Sequence, residues 1–514
     1  MFDDLVTATA HATGSTAVGT WARVENAACA RRLSAMADML AERYAADGSA
    51  EREQWYLDNW AAVSAHIGAA MHVTAGTASH QLIVASALRD RLPLVGEAFA
   101  EGLLTYQVVR LIVTRAGLVS DRDAQRAVDT EIAEALRHWE PMPVAKAEAA
   151  VDDIIARHDP LAVRRTQARA KGRRVEVFID DGDGMSTVWA TLFAPDAKAM
   201  DSRLDTLAHS VCENDPRTRD QRRADAFGAV ARGEDRLHCG CGRDDCTAAA
   251  GPAPAGSSVV YVIVNDDTLA DTGAAAAAQD AELDGVTRRH STKPLFQMTL
   301  VEALTPPPGE SAATRPGAVM GGHFLPGAVA RRMARSATQR RVVHPRDRPP
   351  EPRYTPSRAL ADFVRCRDMT CRFPGCAVPA SACDIDHTIP HPSGPTCASN
   401  LKALCRRHHL LKTFWSGTPG WREQQGPDGT VDWTAPDGAT YRTAPGSRVL
   451  FPSLSVPTAP VTTSGDVPAS AAAGLTMPRR ARTRREERAR RVEDERLANA
   501  PWVAWEVARS VPTF

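Results

Sequence analysis

The stretch from Cys371 to Lys412 constrains the fold more strongly than any other part of the sequence. Cys371 and Cys376 flank a turn that contains Phe-Pro-Gly, and Cys405 and His408 lie three residues apart near the other end. Two close pairs of thiol or imidazole ligands are a common way for a chain to build a closed tetrahedral zinc site. A zinc ion held in this way would stabilise a segment that is too small to have a hydrophobic core of its own.

Four further residues of this stretch carry the chemistry of phosphodiester cleavage: Asp386, His387, Asn400 and His409. Asp386 and His409 could bind Mg²⁺ or another divalent cation and leave positions open for a phosphate oxygen and water. Because an imidazole has an ordinary pKa of about 6.5, His387 could act near pH 7 as the general base on the attacking water. Asn400 could orient that imidazole or add a metal ligand.

The pattern of the stretch predicts a strand over residues 382–389 and a helix that begins at Asn400. On this helix Cys405 and His408 would share one face, whereas His409 would turn toward a different centre. Each residue alone has an ordinary explanation, and Asn400 in particular is a good helix cap. Their occurrence in order within about forty residues favours the functional interpretation.

From about residue 20 to residue 160 the apolar residues recur at helical spacing, which predicts a helical bundle. We interpret these stripes as the core of the bundle rather than as a groove for a partner. They comprise Leu33, Met36, Leu40 and Tyr44; Leu104, Val108, Leu111 and Ile112; and Val128, Ile132, Leu136 and Trp139.

The periodicity then changes to that of an α+β region. Alternating apolar residues over 175–179 and 188–192 predict a hairpin, and its acidic turn at 180–184 lacks the glutamate of a calcium loop. We expect a helix from Pro195, a second helix near residues 215–228 and a strand over 259–264.

A second group of thiols occurs at His238, Cys239, Cys241 and Cys246. Three thiols and an imidazole within nine residues could hold a second metal ion. The Cys-x-Cys step is tighter than the usual spacing, however, and free surface thiols are an equally good interpretation.

Two charged segments are candidates for contact with nucleic acid. The segment from Val329 to Arg348 contains seven arginines, with five of them between residues 331 and 341, and leads toward the Cys/His stretch, so it could contact a DNA backbone or form a solvated helix face. Residues 479–496 contain nine arginines and five acidic residues. We favour a solvated, internally ion-paired helix there over a nucleic-acid arm, because glutamates interrupt the positive charge.

Composition limits the remaining possibilities. A chain of 514 residues needs two or three domains, and 62 basic and 62 acidic residues give no net charge that would indicate a partner. The acidic N-terminus is unlike a secretory signal, and we find no apolar run long enough to cross a membrane. Eleven clustered cysteines favour thiolate ligands in a reducing cytoplasm over a disulfide framework.

The segments RCRDMTCRFPGC and DIDHTIPHPSGPTCASNLKALCRRHHLLKT closely resemble the HNH endonucleases. The ββα-metal fold of those enzymes has Asp-His on a strand, Asn in the following loop and His on the helix. With PDGTVDWTAPDGATY they look like an actinobacterial group that carries an N-terminal domain of unknown function, number 222 of its series. DPRTRDQRRADA resembles a signature of that domain.

The resemblance implies an active site of Asp386, His387, Asn400 and His409. It also implies a structural zinc on the two ligand pairs, that is, on Cys371, Cys376, Cys405 and His408. The first thiol pair is spaced by four residues rather than two, and His408 stands where a fourth Cys is frequent. If the zinc took His409 instead, the catalytic centre would lose a ligand.

We therefore expect an α+β chain in three regions. Residues 20–345 form a mostly helical domain with a small sheet, residues 355–450 a zinc-stapled HNH nuclease module with a β extension, and residues 452–514 a linker and a disordered basic tail. The expected function is metal-dependent hydrolysis of phosphodiester bonds in DNA. The alternative is a zinc-stapled DNA-binding protein that does not cut.

Overall fold

The computed structural model describes residues 2–9, 12–138, 144–163, 174–179, 186–192, 194–243, 245–248, 261–273, 276–277, 280, 299, 315–321, 323–335, 337–415, 420–462 and 475–510. Over these residues helices predominate, and the strands form four small antiparallel sheets. The expected α+β class is confirmed at this level.

The N-terminal region is a bundle of helices. They are α1 (Phe2–Thr9), α2 (Gly14–Ala46), α3 (Ala50–Gln54), α4 (Asn59–Met71), α5 (Ala75–Asp90), α6 (Pro93–Ala100), α7 (Tyr106–Arg115), α8 (Arg122–Leu136) and α9 (Val144–His158). Several begin where the sequence supplies a cap: the side chains of Asp58, Thr74, Thr105 and Asp121 each accept a hydrogen bond from a first-turn amide.

The predicted apolar stripes form the core of this bundle. Leu33, Ile112 and Ile132 are almost completely buried and belong to one hydrophobic cluster. Tyr44 and Val108 pack against that cluster with partial exposure. Trp139 lies outside the described residues.

Helix α4 belongs to two cores at once. Val63 and Ile67 pack in the bundle, whereas Ala61, Ala65 and Ala69 pack with residues of the Cys/His stretch. The small alanine side chains allow a second layer of chain to approach α4 closely. The N-terminal helices therefore form part of the platform on which the later module rests.

The middle of the chain contains smaller elements. They are β1 (Arg174–Ile179), β2 (Ser186–Thr191), α10 (Ala194–Ala208), α11 (Arg219–Arg232), β3 (Val262–Ile263), α12 (Asp266–Ala270), β4 (Gly317–Val319), β5 (His323–Leu325) and α13 (Gly327–Ala334). The predicted hairpin is confirmed by the antiparallel pairing of β1 with β2. Its acidic turn at 180–184 and residues 259–260 of the predicted later strand lie outside the described residues.

The Cys/His stretch forms a two-stranded hairpin followed by a helix, supported by other short elements. These are α14 (Arg358–Asp368), β6 (Cys383–His387), β7 (Leu401–Cys405), α15 (Arg406–Phe414), β8 (Arg422–Gln425), β9 (Val431–Thr434) and β10 (Thr440–Thr443). Strands β8, β9 and β10 form a meander against which the hairpin packs.

The predicted helix start at Asn400 is wrong. Residues 401–405 form a strand that pairs residue by residue with β6, and the helix begins at Arg406. All five residues of the strand are buried. A short segment that is buried on both faces lacks the alternation that marks a half-buried strand, so spacing alone cannot distinguish it from a helix.

The aromatic residues that follow the helix are core residues, as predicted. Trp415, Trp421 and Trp433 are 8%, 4% and 1% exposed. Phe373, from the turn between the first two cysteines, packs edge-on against both Trp421 and Trp433. The meander therefore covers one side of the cysteine turn.

The expectation of a disordered basic tail is wrong for the part that the structure describes. Helix α16 (Arg484–Ser510) lies on the N-terminal bundle, where Arg496 pairs with Asp159 and Asn499 donates to the carbonyls of Leu161 and Val163. Sequence charge alone could not reveal these partners, because they lie more than three hundred residues earlier. Residues 463–474 of the predicted linker lie outside the described residues.

We predict that Gly375→Ala destabilises the protein more than Gly438→Ala. Both glycines have a positive φ, 73° and 89°, so both variants carry a backbone cost of roughly 1–2 kcal/mol. A Cβ at Gly375 would also collide with the carbonyl oxygens of Val73 and Gly68, whereas one at Gly438 meets open space. Thermal unfolding followed by tryptophan fluorescence measures the difference. Equal melting temperatures would contradict the close approach of the cysteine turn to α4.

Candidate metal centre and adjacent charged pocket

The two ligand pairs converge where β7 becomes α15. The ligand atoms of Cys371, Cys376, Cys405 and His408 all lie within 4.8 Å of one another. His408 Nδ1 is 3.3 Å from Cys405 Sγ and 3.5 Å from Cys371 Sγ, and Cys376 Sγ is 4.0 Å from Cys405 Sγ. Neighbouring ligand atoms of a tetrahedral zinc site are roughly 3.5–3.8 Å apart. The spacing is therefore suitable for a metal ion.

Local structure holds these ligands in place. The ring of Phe373 stacks on the imidazole of His408 at a centroid distance of 4.1 Å. The backbone amide of Cys405 points at Cys371 Sγ from 3.3 Å, and Cys405 itself is the cap residue of α15. A helix N-terminus and an amide donor both favour the thiolate form of a ligand.

Protonation indicates why a cation suits this cluster. Burial raises the pKa of Cys371 well above its ordinary value, and hydrogen bonds from Cys371 and Cys376 lower the pKa of Cys405. Without a cation, one thiolate is thus stabilised at the expense of its neighbours. A metal ion would allow all three sulfurs to carry negative charge.

The structure distinguishes the two adjacent histidines. His408 faces the sulfurs, whereas His409 turns to the other side of the helix and places Nδ1 2.9 Å from Asp384 Oδ2. Its Nε2 lies 3.4 Å from Asp386 Oδ1. The assignment of His408 to the thiol cluster and of His409 to the second group follows the prediction.

Two lysines form ion pairs with Oδ2, the other carboxylate oxygen of Asp386. The ammonium groups of Lys402 and Lys412 each lie 2.7 Å from Asp386 Oδ2 and 2.7 Å from Glu423 Oε1. Burial opposes the charge of Asp386, but the two ammonium groups outweigh it and hold the pKa of Asp386 well below its usual range. The aspartate is therefore a permanently ionised group with one oxygen, Oδ1, that faces His409.

His387 is buried at the end of β6, and its neighbours differ from those expected. Its Nε2 lies 2.9 Å from Thr396 Oγ1, and its ring is stacked on Tyr354 at 5.2 Å. The ring of His391 is 5.9 Å away. Burial lowers the pKa of His387 to about 4, against a smaller opposing effect of Asp386. The imidazole is consequently neutral near pH 7.

The side chain of Asn400 forms its hydrogen bonds with the loop after β6 and not with the imidazole of His387. Its Oδ1 accepts a hydrogen bond from the amide of Ile389, and its Nδ2 donates to the carbonyls of Ile389 and Pro395. The amide group is therefore fully used in closing the loop between β6 and β7. Gly394 makes this possible, because a Cβ there would collide with both Ile389 and Asn400.

Several residues of the pocket around Asp386, His387 and His409 were not predicted from the sequence. Asp384 could have been found, since residues two apart on a strand share a face and Asp384 precedes Asp386 by two. Lys402 is the cross-strand partner of Asp386, which the incorrect helix concealed. Tyr354 and Glu423 reach the pocket from distant parts of the chain, and no local pattern marks them.

The second thiol group differs from the predicted set. The residues that approach one another are Cys212, Cys239, Cys241 and Cys246. His238 is not among them. It is exposed, and its backbone carbonyl accepts a hydrogen bond from Arg217. Cys212 was overlooked because it precedes Cys239 by 27 positions.

Most of the basic segment from Val329 to Arg348 is internally paired where its arginines are described. Arg331 is buried against Asp280, Arg340 lies 3.6 Å from Asp362, and Arg341 lies 3.4 Å from Asp266. These ion pairs indicate that part of the segment stabilises the fold. The segment ends at Arg348, a few residues before Tyr354 in the chain.

Comparison with known proteins defines the family. A family model described as "Domain of unknown function (DUF222)" matches residues 20–368. The chain belongs to this family. The predicted N-terminal domain of unknown function is confirmed, and the match extends through α14 to a point just before Cys371.

Two relatives extend over nearly the whole chain. Uncharacterized protein Rv2100 of Mycobacterium tuberculosis (strain ATCC 25618 / H37Rv) is 46% identical over 492 residues, which cover 94% of this chain and 87% of that protein. Uncharacterized protein Rv3776 of the same strain is 44% identical over 480 residues, with 92% and 88% covered. No solved structure matches the DUF222 chain.

Among the helices of the described residues, none combines the length and the apolar character that crossing a bilayer requires.

We predict that Asn400→Ala loosens the loop between β6 and β7. The substitution leaves two partly buried carbonyls and one amide without their partner, at a cost of roughly 1–3 kcal/mol. Hydrogen exchange of the Ile389 amide should accelerate. Ser399→Ala, which removes the contacts of the neighbouring hydroxyl with Ala459 and Cys397 but none with Ile389, is the matched control and should leave that amide protected. Unchanged exchange in Asn400→Ala would refute the role of this side chain in closing the loop.

Proposed function

We propose that this DUF222 protein is a metal-dependent endonuclease of the HNH type that hydrolyses phosphodiester bonds in DNA. The observation that carries the proposal is the approach of Asp386 Oδ1 to His409 Nε2, at 3.4 Å, together with the neutral imidazole of His387, which follows Asp386 in the chain. A carboxylate oxygen, an imidazole nitrogen and a separate neutral base are the groups that metal-assisted hydrolysis needs.

The residues fit a divalent cation. If His409 donates its Nδ1 proton to Asp384, its Nε2 carries a lone pair that faces an ionised oxygen across 3.4 Å. Two lone pairs so placed are what a shared cation would satisfy, and the carboxylate behind the imidazole is a common support for a metal-binding histidine. Asp386 and His409 would hold the cation, which when bound would neutralise charge on the phosphate and the leaving oxygen.

His387 would take the proton from the attacking water. If the hydroxyl of Thr396 donates to the carbonyl of Tyr354, its oxygen accepts a hydrogen bond from the Nε2–H of His387, and Nδ1 is left with its lone pair. Tyr354 holds the plane of the ring by stacking, and Asn400 fixes the loop that carries Thr396. Asn400 would thus position the base through the loop rather than by direct contact.

Lys402 and Lys412 would keep the acidic part of the pocket organised. Lys412 also donates to the carbonyl of His387, so it links the end of β6 to α15. Because the two ammonium groups bridge Asp386 and Glu423, they hold Asp386 in one orientation and leave Oδ1 toward His409.

A basic groove supports a phosphate-containing substrate. A cavity of about 740 Å³ lies between residues 340–349 and 396–399, and it reaches Thr396, the hydrogen-bond partner of His387. Five arginines and two acidic residues line it: Arg340, Arg341, Arg346, Arg348, Arg358, Glu351 and Asp362. Asp362 pairs with Arg340 and Arg358, so the lining keeps an excess of positive charge. Arginines on a groove wall attract a phosphate backbone without selecting a base sequence.

The cluster of Cys371, Cys376, Cys405 and His408 would hold the structural zinc of this module. Three thiolates and one imidazole form a closed tetrahedral set without a free position for substrate. The zinc would join the cysteine turn to the start of α15 and so fix the distance between β6 and His409.

One observation favours the non-catalytic alternative, a zinc-stapled protein that binds DNA without cutting it. Asp386 Oδ2 is already neutralised by two ammonium groups, and a doubly protonated His409 could bridge Asp384 and Asp386 in place of a cation. Cleavage and binding must therefore be measured separately.

We predict that the purified protein nicks supercoiled plasmid in the presence of Mg²⁺ or Mn²⁺ and that EDTA stops the reaction. His387→Ala should lower the rate by about 10²–10⁴-fold, because it removes the general base. His80→Ala, a substitution of an exposed histidine on α5, is the matched control and should keep full activity. DNA binding by filter retention should persist in His387→Ala. Binding without nicking by the wild type would favour the alternative, and a fully active His387→Ala would refute the assignment of the base.

We predict that Cys405→Ser removes one equivalent of zinc and lowers the melting temperature markedly. The reason is that a small module depends on its metal for folding free energy. Cys397→Ser, at a thiol of the same module outside the cluster, should keep both the zinc and the melting temperature. Metal analysis of the dialysed proteins measures the change. Retention of all zinc by Cys405→Ser would contradict the structural site.

A further inference from the structure

We propose that Cys212, Cys239, Cys241 and Cys246 bind one zinc ion as a second, four-thiolate structural site. These four residues belong to the region of α10 and α11, and none of them takes part in the proposed nuclease chemistry. The proposal is independent of that chemistry and stands or falls by its own test.

The sulfur atoms have the spacing of a metal site. All four lie within 4.8 Å of one another, and Cys212 Sγ is 3.5 Å from Cys239 Sγ. Four sulfurs around a zinc ion at about 2.3 Å are separated by roughly 3.8 Å. The described cluster is therefore close to the tetrahedral arrangement before any ion is added. It also supplies a complete ligand set, which excludes an open catalytic position.

Buried hydrogen bonds preorganise the loop that carries Cys239. The side chains of Asp215 and Arg217 are 0% and 5% exposed and pair at 2.7 Å. Arg217 also donates to the carbonyl of His238 at 2.6 Å, and Asp215 accepts from the amide of Gly240 at 2.8 Å. Hydrogen bonds therefore hold the backbone at His238 and at Gly240, on both sides of Cys239. Asp225, on α11, pairs with Arg217 at 2.6 Å and ties the same network to the helix.

The surrounding core is too small to fix this arrangement by itself. The buried members of the hydrophobic cluster between α10 and α11 are Leu207, Ala226, Ala229 and Leu237. Two alanines and two leucines provide little apolar area, and small units of this kind commonly use a metal as a cross-link. A zinc ion would connect Cys212, just after α10, to the loop after α11. The zinc ion would thus supply a cross-link in addition to the small hydrophobic cluster.

Free thiols explain the geometry less well. Cysteines of an unconstrained surface loop have no reason to converge, yet Cys212 meets thiols that lie 27 to 34 positions later. A disulfide between Cys212 and Cys239 would use two of the four sulfurs and leave the convergence of Cys241 and Cys246 unexplained. Zinc uses all four, and thiolate ligands are its preferred partners in closed sites.

The decisive measurement is the zinc content of the full-length protein, purified with a reductant and dialysed against a weak chelator. We expect two equivalents in the wild type, one in Cys239→Ser/Cys241→Ser, and one in Cys371→Ser/Cys405→Ser. His238→Ala is the matched control within the same loop and should keep two. A single equivalent in the wild type that is lost in Cys371→Ser/Cys405→Ser would overturn the proposal, as would two equivalents in Cys239→Ser/Cys241→Ser.

Cobalt substitution gives a second readout, which reports sulfur ligation directly instead of metal content. The two clusters together contain seven thiolates, four here and three in the other site. Sulfur-to-cobalt charge-transfer absorption should therefore fall by roughly four-sevenths in Cys239→Ser/Cys241→Ser and by roughly three-sevenths in Cys371→Ser/Cys405→Ser. Alkylation under non-reducing conditions completes the test: protection of Cys212 and Cys239 that survives chelation but not reduction would establish a disulfide and overturn the zinc assignment.

Discussion

The geometry of the candidate pocket depends on one junction, Cys405, where a strand turns into a helix. Cys405 is the last residue of β7, paired with Cys383, and it is also the cap residue of α15 and a member of the thiol cluster. Because the helix starts there, His408 reaches back to the sulfurs and His409 is rotated toward Asp384 and Asp386. Cys405 therefore determines the position of His408 in the thiol cluster and the position of His409 beside Asp384 and Asp386.

The junction does not stand alone, because the cysteine turn that completes the cluster rests on the N-terminal helices. Gly375 approaches the backbone at Gly68 and Val73 so closely that a side chain would not fit. Leu57 accepts a hydrogen bond from the indole of Trp415 at its carbonyl, and Arg52 lies over the ring of the same tryptophan. The DUF222 region and the Cys/His module consequently share a core. A change in α4 can therefore reach the pocket through packed side chains.

The sequence predicted ligand identities better than it predicted the elements that carry them. Paired cysteines and the Asp-His step are local signals, so the thiol cluster and the approach of Asp386 to His409 could be inferred from spacing alone. Strand β7 could not, since Leu401, Ala403 and Leu404 are buried on both faces and give no alternation. Its misassignment hid Lys402, because a cross-strand partner is defined only once the register is known.

Long-range partners were beyond sequence reasoning for a related reason. Cys212 joins thiols that follow a whole helix later, and α16 pairs its arginine and asparagine with groups near residue 160. The charge pattern predicted that Arg496 lies on a solvated helix face, whereas in the structure it forms an ion pair with Asp159. Spacing within one segment carries no information about such pairs, which depend on how separate helices are packed.

The two oxygens of Asp386 define the chemistry that remains open to the pocket. Oδ2 is committed to Lys402 and Lys412, which are themselves shared with Glu423, so this part of the pocket is nearly neutral. Among the described residues, the contact of Oδ1 is with the imidazole of His409 at 3.4 Å, and Asp384 holds that imidazole from the other side. A cation bound there would meet one carboxylate oxygen and one nitrogen, and its other ligands would have to be water or phosphate. Under the proposed function, an arrangement with so few protein ligands would bind its cation weakly alone and more tightly with a phosphate present, since the substrate would then complete the coordination.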